Sequence, residues 1–384
     1  MSVGAASLSA ITRIAVTILR VPTIRAHTLS MTTMTEQRMV LLQIETADGL
    51  VGLGEAATIG GLAYSEESPD SIKLTLERYF AHLIIGADSA RPGAIMAYLR
   101  SCIVGNFFAL MAVETALLDI VGKRAGLAVS ELLGGRQRDR VEVAWTLASG
   151  DTERDIEEGR AALDMRRHRH FKLKIGKRTW REDVAHVAAI AEAFSGEATV
   201  RVDVNQAWDL VTAKRAVPAL CEAGIDLVEQ PLPVADLDGA RILRMTCPAA
   251  IMADEALRGG PVAARRVADA GAADAFALKI AQAGGLFACR AVAEIALANG
   301  IGLYGGTMLE GPIATIASAH LFAALPEPVW GTELFGPLLL AEELLAAPLQ
   351  YENFGLAVPT GPGLGVVLDR GAIKACAEAG EPIF

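Results

Sequence analysis

The sequence predicts an α/β chain, a modified (β/α)8 barrel preceded by an N-terminal α+β capping domain, and three observations carry that prediction. After residue 135, eight short apolar runs alternate with Ala- and Arg-rich helical stretches, the pattern of βα units on a parallel sheet. Polar residues at the ends of successive runs recur at Lys174, Asp203, Glu229, Asp254, Lys279 and Tyr304, spaced 29, 26, 25, 25 and 25 residues apart, the length of one strand, one helix and two loops. The first third has another texture: long β-rich runs, then helical patterns.

Taken in order, residues 12–57 read as an antiparallel sheet, with the Asp48-Gly49 pair as a turn between two β-rich runs. Helical patterns follow at 70–84, 91–103 and 107–125, the last apolar on a wide face and stopped by Gly126. The predicted barrel strands are 141–148, 170–176, 198–204, 225–231, 250–255, 275–280, 301–306 and 329–333. The sequence beyond 335 has no room for another βα pair and is expected to pack back on the N-terminal domain. The expected division is therefore a capping domain with a lid loop (1–130), a barrel (131–340) and a C-terminal segment (341–384).

Composition narrows the function. With 384 residues, 52% hydrophobic and 21% charged, the chain can bury a large core and is not disordered. A net charge of −10 disfavours nonspecific binding to nucleic acid or an anionic membrane. The five cysteines are widely spaced and never form a CxxC, which argues against a disulfide framework or a zinc knuckle and for a reducing, cytoplasmic setting. The N-terminus does not read as a secretion signal, and no apolar run reaches membrane-spanning length.

In a parallel barrel, strand ends converge at one rim, so Asp203, Glu229 and Asp254 on three consecutive strands are expected to meet. Carboxylates so placed repel one another unless neutralised, and a hard divalent cation, Mn²⁺ or Mg²⁺, is the natural counter-charge. Each acid alone could instead cap a helix or pair with an Arg; three in series make that reading weaker. The chain has only eight Lys against 27 Arg, yet Lys172, Lys174 and Lys279 lie in β-rich apolar runs. Residues 172 and 174 share a strand face, opposite Phe171, Leu173 and Ile175, and so are expected to point into the barrel. Lys can be tuned to move protons near neutral pH, whereas Arg cannot. For Lys172, simple pairing with a rim carboxylate is an equal alternative. A metal clamp flanked by lysines suits the formation of an enediolate beside a carboxylate, on a small carboxylic acid substrate.

The motifs KLKIG, VDVNQAW, VEQP, ADE and LKIAQAGG match, in order and spacing, the muconate cycloisomerase branch of the enolase superfamily, and the resemblance runs from about residue 12 to 370. It implies reversible conversion of cis,cis-muconate to muconolactone in aromatic catabolism, with Mn²⁺ and a homo-oligomeric, often octameric, enzyme. It further implies that Lys174 moves the proton, that Lys172 keeps the site positive, that Lys279 acts electrostatically from the opposite face, and that Glu333 is an acidic partner across the pocket. Ile59 and Tyr64 of a Gly-rich lid loop, together with Asn205 and Phe335, are implied substrate-binding residues; an ordinary hairpin loop with a buried Tyr is the plainer reading of the lid. Alternatives are a chloromuconate cycloisomerase, an o-succinylbenzoate synthase, a dipeptide or N-acylamino acid epimerase, a Schiff-base aldolase using Lys174 or Lys279, and a non-catalytic scaffold. The run RRHRHFK (166–172) reads as a solvated helix end, and the absence of His from GLYGGT disfavours a Lys/His acid-base pair.

Overall fold

Three strands, β1 (Ile11–Thr28), β2 (Thr33–Thr46) and β3 (Val51–Ala57), form an antiparallel sheet in chain order. The computed structural model describes residues 8–29 and 32–382, so the first seven residues of the expected non-signal N-terminus lie outside the described residues. The Asp48-Gly49 turn joins β2 to β3 with Gly49 at φ 80°, a conformation that favours glycine. The apolar helix Phe107–Ala125 lies directly on β3 and ends at Gly126 (φ 71°). Contact there is close because two β3 residues lack side chains: a Cβ on Gly52 or Gly54 would stand 2.1 Å and 2.0 Å from the carbonyl oxygens of Ala116 and Ala112. The helical stretch expected at 70–84 is helix Pro69–Leu74, a π-helical segment Thr75–Phe80 and helix Ala81–Ile84.

The next strands are β4 (Arg140–Glu142), outside the barrel, and the barrel strands β5 (Trp145–Leu147), β6 (His170–Lys174), β7 (Thr199–Asp203), β8 (Leu227–Glu229), β9 (Ala250–Ala253), β10 (Ala275–Leu278) and β11 (Gly302–Gly305). Strands β5 to β11 make one parallel sheet in chain order. Two strand expectations change. The run 141–148 breaks in two, because β4 turns away to pair with the C-terminal hairpin β12 (Tyr351–Glu352) and β13 (Gly355–Ala357). The eighth strand shrinks to a bridge: Thr332 pairs with Gly305 on one side and Val143 on the other, which closes the ring between β11 and the start of β5.

Helices cover the outer face. Those beginning at Thr152, Trp180, Leu210 and Leu237 are each capped by the preceding side chain: Asp151, Thr179, Asp209 and Asp236. The helices Leu286–Ala298 and Pro312–Ala324 begin after glycine and take caps from the N-terminal domain instead. Glu114 accepts from the Phe287 N–H, and Glu55, in β3, accepts from the Gly311 and Ile313 N–H groups. Buried carboxylates at helix N-termini thus tie the two parts together. The C-terminal segment crosses the first sheet, where Ala377 bridges Leu19 and Glu378 pairs with Arg38.

Gly54→Ala is therefore expected to cost about 2–3 kcal/mol, since the Ala112 backbone cannot move aside. Gly93→Ala, in an exposed helix with nothing within 4 Å of the new methyl, is expected to stabilise by about 0.5 kcal/mol. Urea denaturation of the two variants checks the pair; equal midpoints contradict the packing described.

Candidate active site

Parallel register assembles the site. Lys174 is level with Asp203, and Asp203 with Glu229, so three neighbouring strands deliver one cation and two anions at one height. Glu229 is level with Met252, and Asp254 lies two residues further on; Lys279 follows β10 in the same climb, the stagger of tilted strands. Tyr304 does not continue the row. It is level with Ala277 and lies within the barrel, its ring 5.9 Å from the Lys172 ammonium and 5.5 Å from the Arg201 guanidinium. Gly306 stands at the rim instead, and a Cβ there would come within 2.8 Å of the Lys279 chain.

Asp203, Glu229 and Asp254 are fully buried, and each offers a carboxylate oxygen within 4.8 Å of the others. The lysines are distributed among them. Lys172 Nζ lies 2.9 Å from Glu229, 2.6 Å from Glu333 and 3.5 Å from Asp203. Lys174 pairs with Asp203 and lies 3.4 Å from Asn205 Oδ1. Lys279 lies 2.7 Å from Asp254. Carboxylate pairing of Lys172, one of its two sequence readings, is thus what the geometry displays.

Burial works to raise the Asp203 carboxyl, but Lys174 and Lys172 outweigh it and hold the group below the usual range. Burial likewise opposes the Lys172 charge, yet Glu229 and Glu333 carry its pKa well above normal. For Glu229 the balance goes the other way: burial and the adjacent Asp203 push its carboxyl well up, and its Oε1 has no hydrogen-bond partner. Counted fully ionised, the four carboxyls including Glu333 face three ammonium groups with one negative charge in excess, the imbalance that Glu229 relieves by favouring its neutral form. A hard divalent cation fits this all-oxygen set: it would meet the orphaned Glu229 oxygen and leave one positive charge, suited to an anionic substrate.

The loop after β3 enters the barrel mouth. Gly60 and Gly61 (φ 61° and 66°) turn it, Ile59 is buried, and the Tyr64 hydroxyl donates to Asp254 Oδ2 at 2.7 Å and lies 3.2 Å from Lys279 Nζ. Asn205 donates to Asp203 and to Glu255. Phe335 packs edge-on against Trp145, 5.1 Å between centroids. A cavity of about 20 Å³ remains, bordered by Ile59, Tyr64, the three lysines, Glu333 and Phe335. The eleven residues expected at the site thus converge at one end of the barrel.

Sequence reasoning passed over several neighbours. Gln282 donates to Asp254 Oδ1, and Gln230 Oε1 accepts from the Asp254 and Ala256 N–H groups. Glu255, pushed up to about 7 by burial and then by Asp254, lines a larger cavity of about 630 Å³ together with Arg258, Arg266 and Asn106. All three sit inside motifs already singled out (LKIAQAGG, VEQP, ADE), so adjacency was the available signal. His168, expected in a solvated helix end, is instead buried and stacked on Trp145, while Arg166 and Arg169 beside it are exposed.

Residues 13–134 match the N-terminal domain of the mandelate racemase / muconate lactonizing enzyme family, and residues 154–372 the enolase C-terminal domain-like family. Muconate cycloisomerase 1-2 of Acinetobacter lwoffii is 57% identical, over 91% of this chain and 90% of its own. A chloromuconate cycloisomerase of Cupriavidus necator is 41% identical over 94% of this chain and 97% of its own. The structure of muconate lactonizing enzyme from Pseudomonas fluorescens complexed with muconolactone superposes with a TM-score of 0.95 at 53% identity, covering 97% of this chain and all of that one. Site and comparisons agree: the chain belongs to the mandelate racemase / muconate lactonizing enzyme family of the enolase superfamily.

Proposed function

We propose that this chain is a muconate cycloisomerase, interconverting cis,cis-muconate and muconolactone. The observation that carries the reading is the placement of Lys174 and Lys279 at the two flanks of the carboxylate cluster, one against Asp203 and the other against Asp254. The identities support muconate over chlorinated substrates, at 57% for the former and 41% for the latter. A divalent cation held by Asp203, Glu229 and Asp254, in this reading Mn²⁺ with Mg²⁺ as the substitute, would supply charge neutralisation where a substrate carboxylate binds.

The remaining chemistry belongs to side chains. An oxygen of one substrate carboxylate bonds to the diene, and the electron pair moves to the carbon beside the other carboxylate. Lys174 delivers a proton to that carbon and is recharged from solvent; in reverse it removes the same proton. Lys172, locked between Glu229 and Glu333, holds the site's charge and the Glu333 side chain in place. Lys279 adds positive charge from the other face, Tyr64 orients Asp254, and Ile59, Asn205 and Phe335 shape the pocket. Glu333 is carried as the acidic partner across the pocket. A homo-oligomer, an octamer by resemblance, and a cytoplasmic location complete the proposal; among the described residues no helix is long and apolar enough to cross a membrane.

Purified protein with Mn²⁺ is expected to abolish the diene absorbance of cis,cis-muconate and yield muconolactone, with activity lost in EDTA and regained on adding metal. Metal-loaded, folded protein that leaves muconate untouched contradicts the reading. Lys174→Ala is expected to lower kcat by about 10³-fold or more while melting close to wild type. Lys172→Ala, by contrast, strands Glu229 and Glu333 and is expected to cost about 3–5 kcal/mol in the metal-free protein. Thermal melts of the two variants distinguish the roles.

A further inference from the structure

Among the described residues, the cavity wall contains one buried polar side-chain atom without a hydrogen-bond partner. Its other polar groups are committed: Lys172, Lys174 and Lys279 to carboxylates, Tyr64 to Asp254, Thr146 to Glu333, and Thr307 to Glu310. The exception is His27 Nε2, on a residue 1% exposed at the end of β1 that borders the same cavity. A buried polar atom left unpaired in a native fold calls for a reason, and a ligand is one such reason.

The ring's other nitrogen settles what Nε2 can offer. His27 Nδ1 lies 3.5 Å from Arg25 Nη1, and a guanidinium can only donate. Nδ1 is therefore the acceptor, and the proton of the neutral ring sits on Nε2. Arg25 is itself fixed, by Glu158 and the Thr146 carbonyl. Burial, with the positive charges of Arg25, Lys174 and Lys172, holds the imidazole neutral, its pKa lowered to about 3.

Resting on the function proposed above, we propose that His27 Nε2–H donates to the substrate carboxylate that is not held at the Asp203, Glu229 and Asp254 cluster, and so selects for a diacid. That carboxylate is the nucleophile. A cation there would stabilise its charge and hinder bond formation, whereas a neutral N–H can hold one oxygen while the other attacks, then stay on the same oxygen when it becomes the lactone carbonyl. Such binding is uniform between substrate and product, so its loss falls on KM more than on kcat.

The test compares two unreactive six-carbon acids, adipate and hexanoate, by calorimetric titration of the Mn²⁺-loaded protein. Wild type is expected to bind adipate more tightly. His27→Phe is expected to weaken adipate about 10- to 100-fold and hexanoate less than about threefold, and His27→Gln, whose amide nitrogen falls near the lost Nε2, to restore most of the difference. With muconate, His27→Phe should raise KM by a similar factor and change kcat only a few-fold. Should His27→Phe not fold, His27→Asn serves, since its amide reaches only the Nδ1 position. Equal weakening of both acids, unchanged adipate binding, or a wild type indifferent to the second carboxylate each overturns the proposal. The titrations do not depend on turnover: a wild type inert towards muconate that still shows the His27-dependent adipate preference refutes the cycloisomerase reading and leaves the contact standing.

Discussion

Three carboxylates within 4.8 Å of one another, all out of reach of water, cannot persist without compensating charge, and the catalytic end of the barrel is arranged around that constraint. The cations come from the same strands or their neighbours: Lys174 beside Asp203, Lys172 one pleat deeper, Lys279 beyond Asp254. The chain spends three of its eight lysines here, in strands where Arg would be too broad and too fixed in charge. Backbone strain gathers at the same place. Asn205, Gln206 and Gln230, which follow two of the acids, have φ of 45°, 68° and 34°, uncommon for residues with side chains. Each is secured by bonds to a following strand's loop: Gln206 N–H to the Gln230 carbonyl and Gln230 to Asp254 and Ala256 one strand on, Asn205 to Glu255 two strands on. The acids are thus held at their separations by a framework that does not relax when they repel.

The same device, a buried carboxylate meeting backbone N–H groups, fastens the capping domain to the barrel. Glu55 is raised to about 8, first by burial and then by Glu310, and it still lies on the start of the helix Pro312–Ala324. Glu55 also opens the loop that carries Ile59 and Tyr64. The cap on the last barrel helix therefore sets where the loop leaves its sheet and, through it, where the Tyr64 hydroxyl arrives at Asp254.

Much of this was legible in the sequence because period-two alternation and a 25-residue recurrence are local properties of strands and βα units. Those two signals placed Lys172, Lys174, Asp203, Glu229, Asp254 and Lys279 at one end of a barrel without any knowledge of contacts. The recurrence misled at Tyr304, since equal spacing does not mean equal height: β10 and β11 start level, which sets Tyr304 opposite Ala277, two residues below Lys279; Gly306 marks the rim, and a missing side chain leaves no polar signal. The eighth strand was over-read for a related reason. Its β-rich composition survives, but the bonds that close the ring need only Thr332 and its neighbours. Least legible were Glu55 and Glu114, whose partners lie in other elements, and His27, since nothing near it in sequence distinguishes a ring facing the cavity from one filling a core.

The division of labour between the domains follows from these attachments. Charged groups stand on strand ends, where parallel hydrogen bonding fixes their heights, while Ile59, Tyr64, His27 and Leu29, which close the cavity from the other side, come from the capping sheet and its loops. The enclosed space of about 20 Å³ holds roughly one water molecule, far less than a six-carbon diacid needs. Room must therefore be made by one of the two parts. The rim cannot provide it without separating the carboxylates from their lysines, whereas the loop bearing Ile59 and Tyr64 turns on two adjacent glycines and reaches Asp254 through one hydroxyl. Opening the mouth on the loop side breaks the Tyr64 contact with Asp254 and leaves each lysine–carboxylate pair of the barrel in place.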